Sequence, residues 1–180
     1  AMVPTIHVDS LQVGDLWLER RQLAIVDDVF GGAQGVLGAD GLSDKRIIID
    51  FTKDHISIQY SRGKVRPRGF ARVPVRLSHG HLLLFNVNIA GVRTTAMLDT
   101  GAQVTIGNDS LRRALEKRFR RGSTNSIMGV TLDEQEGEAF RAPPVDIGSL
   151  TIHGMPITFG EFHVFDAWDM TDRPALLIGM

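Results

Sequence analysis

Apolar residues in this chain fall in short runs and alternations, seldom at helical spacing, and turn residues separate them. Arg46 to Phe51 reads Arg-Ile-Ile-Ile-Asp-Phe, a β-branched run of the kind buried on both faces. His55 to Tyr60 alternates, with Ile56, Ile58 and Tyr60 set against His55, Ser57 and Gln59, and Thr52-Lys53-Asp54 suits the hairpin turn between the two. Ile6–Val8, Leu16–Leu18 and Leu23–Val26 are further strand candidates near the start. Later come Arg72–Leu77, Leu82–Ile89 and Val92–Leu98, the last two joined by a turn at Ala90-Gly91. Val145–Ile147, Leu150–Ile152, Met155–Phe159 and Phe162–Phe165 follow, and then the apolar run Ala175 to Met180. One helix is expected, capped by Asn108, Asp109 or Ser110 and running to about Arg120, with Leu111, Leu115 and Phe119 as its buried stripe. Gly122 to Phe140 is polar and holds the acidic run Asp133, Glu134, Glu136, which reads as a long mobile hairpin. With 19 glycines in 180 residues as punctuation, the pattern is all-β.

Composition narrows the function classes. Hydrophobic residues make up 43% and charged residues 23%, as in an ordinary globular chain. A net charge of −1 argues against a whole-chain grip on nucleic acid. With no Cys, thiol nucleophiles, disulfides and Cys-ligated zinc are excluded. No apolar run approaches a membrane span, so membrane insertion is not expected, and Ala1-Met2-Val3-Pro4 is unlike a signal peptide. Residues 61–71, with Arg62, Lys64, Arg66 and Arg68 among Gly and Pro, read as a solvated basic linker before a docking strip for an acidic partner. Arg112, Arg113, Lys117, Arg118, Arg120 and Arg121 read first as the solvated face of the helix. Among six histidines only His79-Gly80-His81 is a close pair, and no carboxylate adjoins it, so neither a metal site nor a cofactor is expected.

Two segments match at a fixed offset. Ser10-Leu11-Gln12-Val13 aligns with Ser149-Leu150-Thr151-Ile152, and Leu23 to Asp27 with Phe162 to Asp166. After a two-residue insertion, Val36-Leu37-Gly38 aligns with Leu177-Ile178-Gly179. The match suggests a duplicated β unit. On that reading residues 1–60 are the C-terminal half of a first repeat, 61–71 a linker, and 72–180 a second repeat cut short at its end.

The strongest chemical signal is Ala96-Met97-Leu98-Asp99-Thr100-Gly101-Ala102-Gln103-Val104-Thr105. An apolar strand delivers a carboxylate onto a tight turn, where it suits acid/base work. Gly101 lets backbone amides approach it, and Thr100 can brace the turn. N–H bonds to a carboxylate favour its ionised form. Asp-Thr-Gly alone is a common turn tripeptide. The preceding strand, Ala102, Thr105 and the later Leu176-Leu177-Ile178-Gly179, able to pack beneath the turn, lift it above that background.

With these residues the chain resembles the retropepsin-like aspartic proteases, single-lobe relatives of pepsin. Their motif stands here as Leu98-Asp99-Thr100-Gly101-Ala102 with Thr105, and their later apolar-apolar-Gly mark as Leu177-Ile178-Gly179, with Val36-Leu37-Gly38 in the first repeat. The resemblance covers about residues 6–60 and 72–180. It implies an all-β, pepsin-type acid-protease barrel with one short helix and two related lobes, the first incomplete. It also implies an aspartic endopeptidase acting on polypeptide. Asp99 would be catalytic, Thr100, Gly101, Ala102 and Thr105 would support its turn, and Ile127, Met128, Gly129 and Val130 would sit on a substrate-covering flap within Ser126–Glu138. Two aspartates share a proton in this chemistry, one activating water and the other acting as acid. Only one Asp-Thr-Gly is present, so the second carboxylate is expected from a homodimer mate or from an upstream segment in an intramolecular pseudo-dimer, and a monomer of this chain is expected to be inactive. A periplasmic or exported setting is expected from family habit and the lack of Cys. The competing expectation is a non-catalytic peptide-binding or scaffold module that retains the fold.

Overall fold

The computed structural model describes residues 3–26, 32, 35–42, 44–63, 69–79, 82–118, 120–128 and 134–180. The chain divides into two compact units, the first within residues 1–68 and the second comprising 69–129 and 133–180.

Among the described residues the first unit holds two separate antiparallel hairpins. Strands β1 (Thr5–Val13) and β2 (Leu16–Ala24) pair from Thr5↔Ala24 to Val13↔Leu16. The run expected at Leu16–Leu18 and the first two residues of Leu23–Val26 are therefore parts of one strand, and Ile25 and Val26 lie beyond its end. Strands β3 (Lys45–Asp50) and β4 (His55–Tyr60) pair about the expected turn, where Asp50 Oδ1 accepts from the N–H groups of Thr52 and Lys53. The isoleucine run of β3 is half-exposed rather than buried on both faces, with Ile47 and Phe51 in the open. The reason is the sheet: β3 has β4 as its one sheet neighbour among the described residues. A two-stranded ribbon cannot enclose both faces of a strand.

The second unit carries, among the described residues, one ten-stranded sheet. Its strands are β5 (Arg76–Ser78), β6 (Leu82–Ile89), β7 (Val92–Asp99), β8 (Ile106–Gly107), β9 (Arg120–Met128), β10 (Glu134–Arg141), β11 (Val145–Ile147), β12 (Leu150–Ile152), β13 (Pro156–Phe159) and β14 (Ala175–Gly179). The order is β12-β11-β6-β7-β14-β8-β13-β10-β9, with β5 also on β6. The last strand, β14, is inserted in the middle, parallel to β7 and antiparallel to β8.

The sheet changes its buried face along its length. In β6, Leu82 and Leu84 are buried on one face, while Val87 and Ile89 are buried on the other. The first pair belongs to a cluster with Met97, Leu177, Phe162 and Phe165. The second pair belongs to a cluster with Ala96, Leu176, Leu111 and Leu115. Strand β14 lies between the two cores, and Ala175, Leu176, Leu177 and Ile178 are all buried. That is why this run is continuously apolar, whereas β6 alternates.

Helix α1 (Asp109–Leu115) buries Leu111 and Leu115 as expected but is shorter than the sequence pattern suggests. It passes into a 3-10 turn over Glu116–Arg118, and Arg120 already belongs to β9, paired with Arg141. Phe119 lies outside the described residues. Part of the basic face is engaged: Arg112 pairs with Glu138, Arg113 Nη1 lies 3.8 Å from Asp109, and Arg118 donates to the Ala90 carbonyl. These are exposed pairs, which contribute little to stability.

A second helix, α2 (His163–Ala167), stands where a strand was expected over Phe162–Phe165. Phe162 and Phe165 are spaced i, i+3, so a single helical turn buries both. The segment thus differs in conformation from Leu23–Ala24, its counterpart in the proposed repeat, which is extended strand.

Candidate active site

The carboxylate of Asp99 sits at the last residue of β7. Two hydrogen bonds close the turn after it. The Gly101 N–H donates to Asp99 Oδ1 at 2.9 Å, and the Ala102 N–H reaches the Asp99 carbonyl at 3.4 Å. A Cβ at Gly101 would stand 3.3 Å from that carboxylate oxygen, tighter than side chains ordinarily pack. A side chain at this position would push the carboxylate oxygen aside by a few tenths of an ångström. Thr100 is exposed on the turn.

The segment after the turn is held from below by β14. Gly179 pairs with Asp99 in the parallel ladder. The Gly179 N–H donates to Thr105 Oγ1 at 3.3 Å, and the Met180 N–H donates to the Ala102 carbonyl at 2.9 Å. Thr105 is buried, and its carbonyl accepts from the Thr158 N–H at 2.9 Å. A Cβ on Gly179 would lie 2.5 Å from the Val104 carbonyl oxygen and 2.7 Å from that of Ala102, both on the backbone. Gly179→Ala is therefore expected to lower the stability of the second unit by about 2 kcal/mol, within the range for overpacking. Thermal unfolding of the variant checks this, and an unchanged midpoint would refute the packing argument.

Further support comes from Asn108. The residue is buried at the start of α1, and its Oδ1 accepts from the Leu111 N–H at 2.9 Å as a helix cap. The same oxygen accepts from the Ala175 N–H, while Nδ2 donates to the carbonyls of Met170 and Arg173 at 2.6 and 2.7 Å. One side chain thus ties the helix start to the loop that leads into β14. The sequence marks Asn108 as a possible cap, but nothing local in it announces the second attachment.

Asp99 stands at the edge of the face that carries Met97, because alternate residues of a strand share a face. The register Leu84↔Met97, continued by two residues, sets Leu82 opposite Asp99, and Gly179 flanks it on the other strand. Its two sheet neighbours are therefore apolar or glycine, not a second acid. On the opposite face, Leu77, Leu83 and Leu98 fall in one cross-strand row beside buried Ile178. They are 60%, 50% and 48% exposed.

Residues 85–180 match the family model described as aspartyl protease. The chain belongs to the aspartyl protease family. No curated protein matches it. Membership places the chain among the peptide-bond hydrolases, whose substrate is polypeptide, and its mostly β architecture, with a curled sheet around β14, is that of the retropepsin-like fold. The matched region begins in β6 and takes in Asp99, Thr100, Gly101, Ala102 and Thr105. It also spans the β9–β10 hairpin, where Ile127 pairs with Gln135 and Met128 with Glu134. Gly129 and Val130, named with them from the sequence, lie outside the described residues. Among the described residues no group of three His, Asp or Glu side chains is placed to hold a metal ion. No described helix is long and apolar enough to cross a membrane.

Proposed function

We propose that this aspartyl protease chain is one half of an endopeptidase site, with Asp99 supplying one of two carboxylates. The supporting observation is a pinned Asp99 turn whose two sheet neighbours, Leu82 and Gly179, include no second acid. Two carboxylates in contact cannot both ionise cheaply, so one proton is shared between them. The ionised member takes a proton from water, and the protonated member gives one to the peptide carbonyl oxygen as the tetrahedral intermediate forms. Asp99 flanked by Leu82 and Gly179 has one of these two roles to offer. The second carboxylate comes from a second chain or from a segment upstream of the first unit, and the isolated monomer is inactive. The hairpin β9–β10 is the element suited to cover bound substrate, with Ile127 and Met128 on its outgoing strand. An exported or periplasmic location fits the family's habit and a chain without Cys.

The exposed Leu77–Leu83–Leu98 row offers an interaction face for a second lobe. A contiguous apolar strip on a protein surface commonly marks such a face, and this one includes Leu98, next in the chain to Asp99 though on the opposite face of the sheet. Leu83→Asp is expected to reduce cleavage of an extended peptide by at least about tenfold, since a buried unpaired charge costs more than 1.4 kcal/mol. Leu83 lies in the open in the chain itself, so unfolding should be unaffected. The assay is run across chain concentrations, at acid and neutral pH, with a statine-type inhibitor as control. Equal activity of Leu83→Asp and the unaltered chain would remove the row from the interface.

The single Asp-Thr-Gly also motivates a second reading, a peptide-binding module that retained the fold without turnover. It predicts no cleavage even in a longer chain that carries the upstream segment, with peptide binding preserved.

A further inference from the structure

Strand β6 has β7 along one side over Leu84–Ile89. Its other side has two neighbours with a gap between them. Strand β5 leaves at the pair Arg76↔Leu84, and β11 joins with Asp146↔Asn88 and Val145↔Ile89. Neither is paired with Phe85, Asn86 or Val87. The sequence accounts for both ends of the gap. Pro74 has no N–H with which to carry the β5 ladder onward. Gly148 takes a φ of 59° where β11 turns into β12. Residues 72–75 bridge the two ends without joining the sheet. A Cβ at Gly148 would stand 3.5 Å from the Arg72 carbonyl oxygen and 3.8 Å from Val73. Val73 also packs on the cluster that holds Ile89 and Val145, and from there the chain runs to β5.

What remains is a notch of about 270 Å³ beside β6, with Pro74, Val75, Arg76, Leu84, Asn86 and Thr95 on its lining. By the pairs Arg76↔Leu84 and Asn86↔Thr95, the last four share one face of the sheet. Asp99 is on that face too, but Met97 stands between it and Thr95 and is buried in the cluster with Phe162 and Phe165. The notch is therefore a separate place from the Asp99 turn. Its lining holds one cation and no carboxylate. Among the described residues, the side chains of Arg76, Asn86 and Thr95 make no hydrogen bond or ion pair.

We propose that this notch binds the C-terminal end of a polypeptide, with Arg76 on the terminal carboxylate. A guanidinium offers two parallel N–H donors that match the two oxygens of a carboxylate. The Thr95 hydroxyl and the Asn86 amide can each donate and accept, which suits the last peptide group. Pro74, Val75 and Leu84 supply apolar surface for the last side chain. The volume lies just under the range of about 300–1,000 Å³ for drug-sized ligands, so the notch admits a chain end and not a folded surface. The site goes beyond the endopeptidase reading and does not depend on it.

The test measures binding of three ligands to the chain by calorimetry. One is a short peptide ending in Ala-Leu with a free carboxylate, the second is its C-terminal amide, and the third is N-acetyl-leucine. The unaltered chain should bind the free acid at least about tenfold more tightly than the amide, because hydrogen bonds to a charged group are the strong ones. Arg76→Gln should reduce that ratio to about twofold, and Arg76→Lys, which keeps the charge but not the fork, should restore part of it. Arg76 is exposed, so the unfolding midpoint of both variants should stay unchanged. Thr95→Val should weaken acid and amide alike, by about threefold or more. Asp99→Asn should bind as the unaltered chain does. No preference for the acid in the unaltered chain would overturn the proposal, as would an unaltered ratio in Arg76→Gln. Loss of binding in Asp99→Asn would also overturn it, by placing the peptide at the Asp99 turn. N-acetyl-leucine bound as tightly as the peptide would replace the chain end with a free small acid as the ligand and overturn the polypeptide assignment.

Discussion

Asp99→Asn is expected to abolish peptide cleavage, with a loss of at least about 10³-fold, in the range by which positioned acid/base groups accelerate reactions. The fold should survive. The Asn side chain keeps an oxygen at the position of Oδ1, so it can still accept the 2.9 Å bond from the Gly101 N–H, and the turn closes as before. What is lost is the group that can hold or give up a proton. Asn can neither take a proton from water nor share one with a second carboxylate. Cleavage rate and unfolding midpoint, measured on the same preparation, separate the two effects. Retention of a tenth or more of the activity would mean that Asp99 is not the reacting acid. A large fall in midpoint would mean that the residue is structural.

The largest effect on stability is expected at Asn108. Asn108→Ala removes a helix cap, worth about 1 kcal/mol. It also strands the Ala175 N–H and the carbonyls of Met170 and Arg173, whose partner is buried. A buried polar group left without a partner costs about 1–3 kcal/mol, so a total loss near 4 kcal/mol is expected. Asn108→Asp is the informative comparison. It keeps an oxygen to cap the helix but turns the donor atom into a second acceptor, facing carbonyl oxygens. It should be no more stable than the Ala variant. Chemical denaturation of both checks this, and a loss under about 1 kcal/mol in Asn108→Ala would show that water or a rearranged loop takes over the bonds.

Much of the site is legible in the sequence because its signals are local. Leu98-Asp99-Thr100-Gly101 is a strand end and a turn, and both are written in adjacent residues. The β6–β7 hairpin announces itself through Ala90-Gly91, where both residues take positive φ. The later Leu177-Ile178-Gly179 could be placed beneath the turn because two apolar residues followed by Gly are the mark that accompanies Asp-Thr-Gly in the resembled family. The rest depends on contacts distant in the chain. Asn108 reads as a cap, but its carbonyl partners lie 62 and 65 residues onward. The α2 segment read as strand because four residues, Phe-His-Val-Phe, fit either period. The i, i+3 phenylalanines decide it only when Leu82, Met97 and Leu177 are there to receive both. The isoleucines of β3 look like core in sequence, yet their exposure depends on how many strands lie alongside, a property of topology rather than of residue type.

The position of β14 also bears on when the site comes into being. Hairpins such as β6–β7 close short loops and form early. The Gly179–Thr105 contact spans 74 residues, and its entropy cost must be met before the contact stabilises anything. Strand β14 lies between β7 and β8, so both of its ladders wait until residues 175–179 reach them. Until then, the turn after Asp99 lacks its lower support, and the acid is held by its own loop alone. A chain still being synthesised, or stalled part-way through folding, therefore carries Asp99 on a turn that β14 does not yet support.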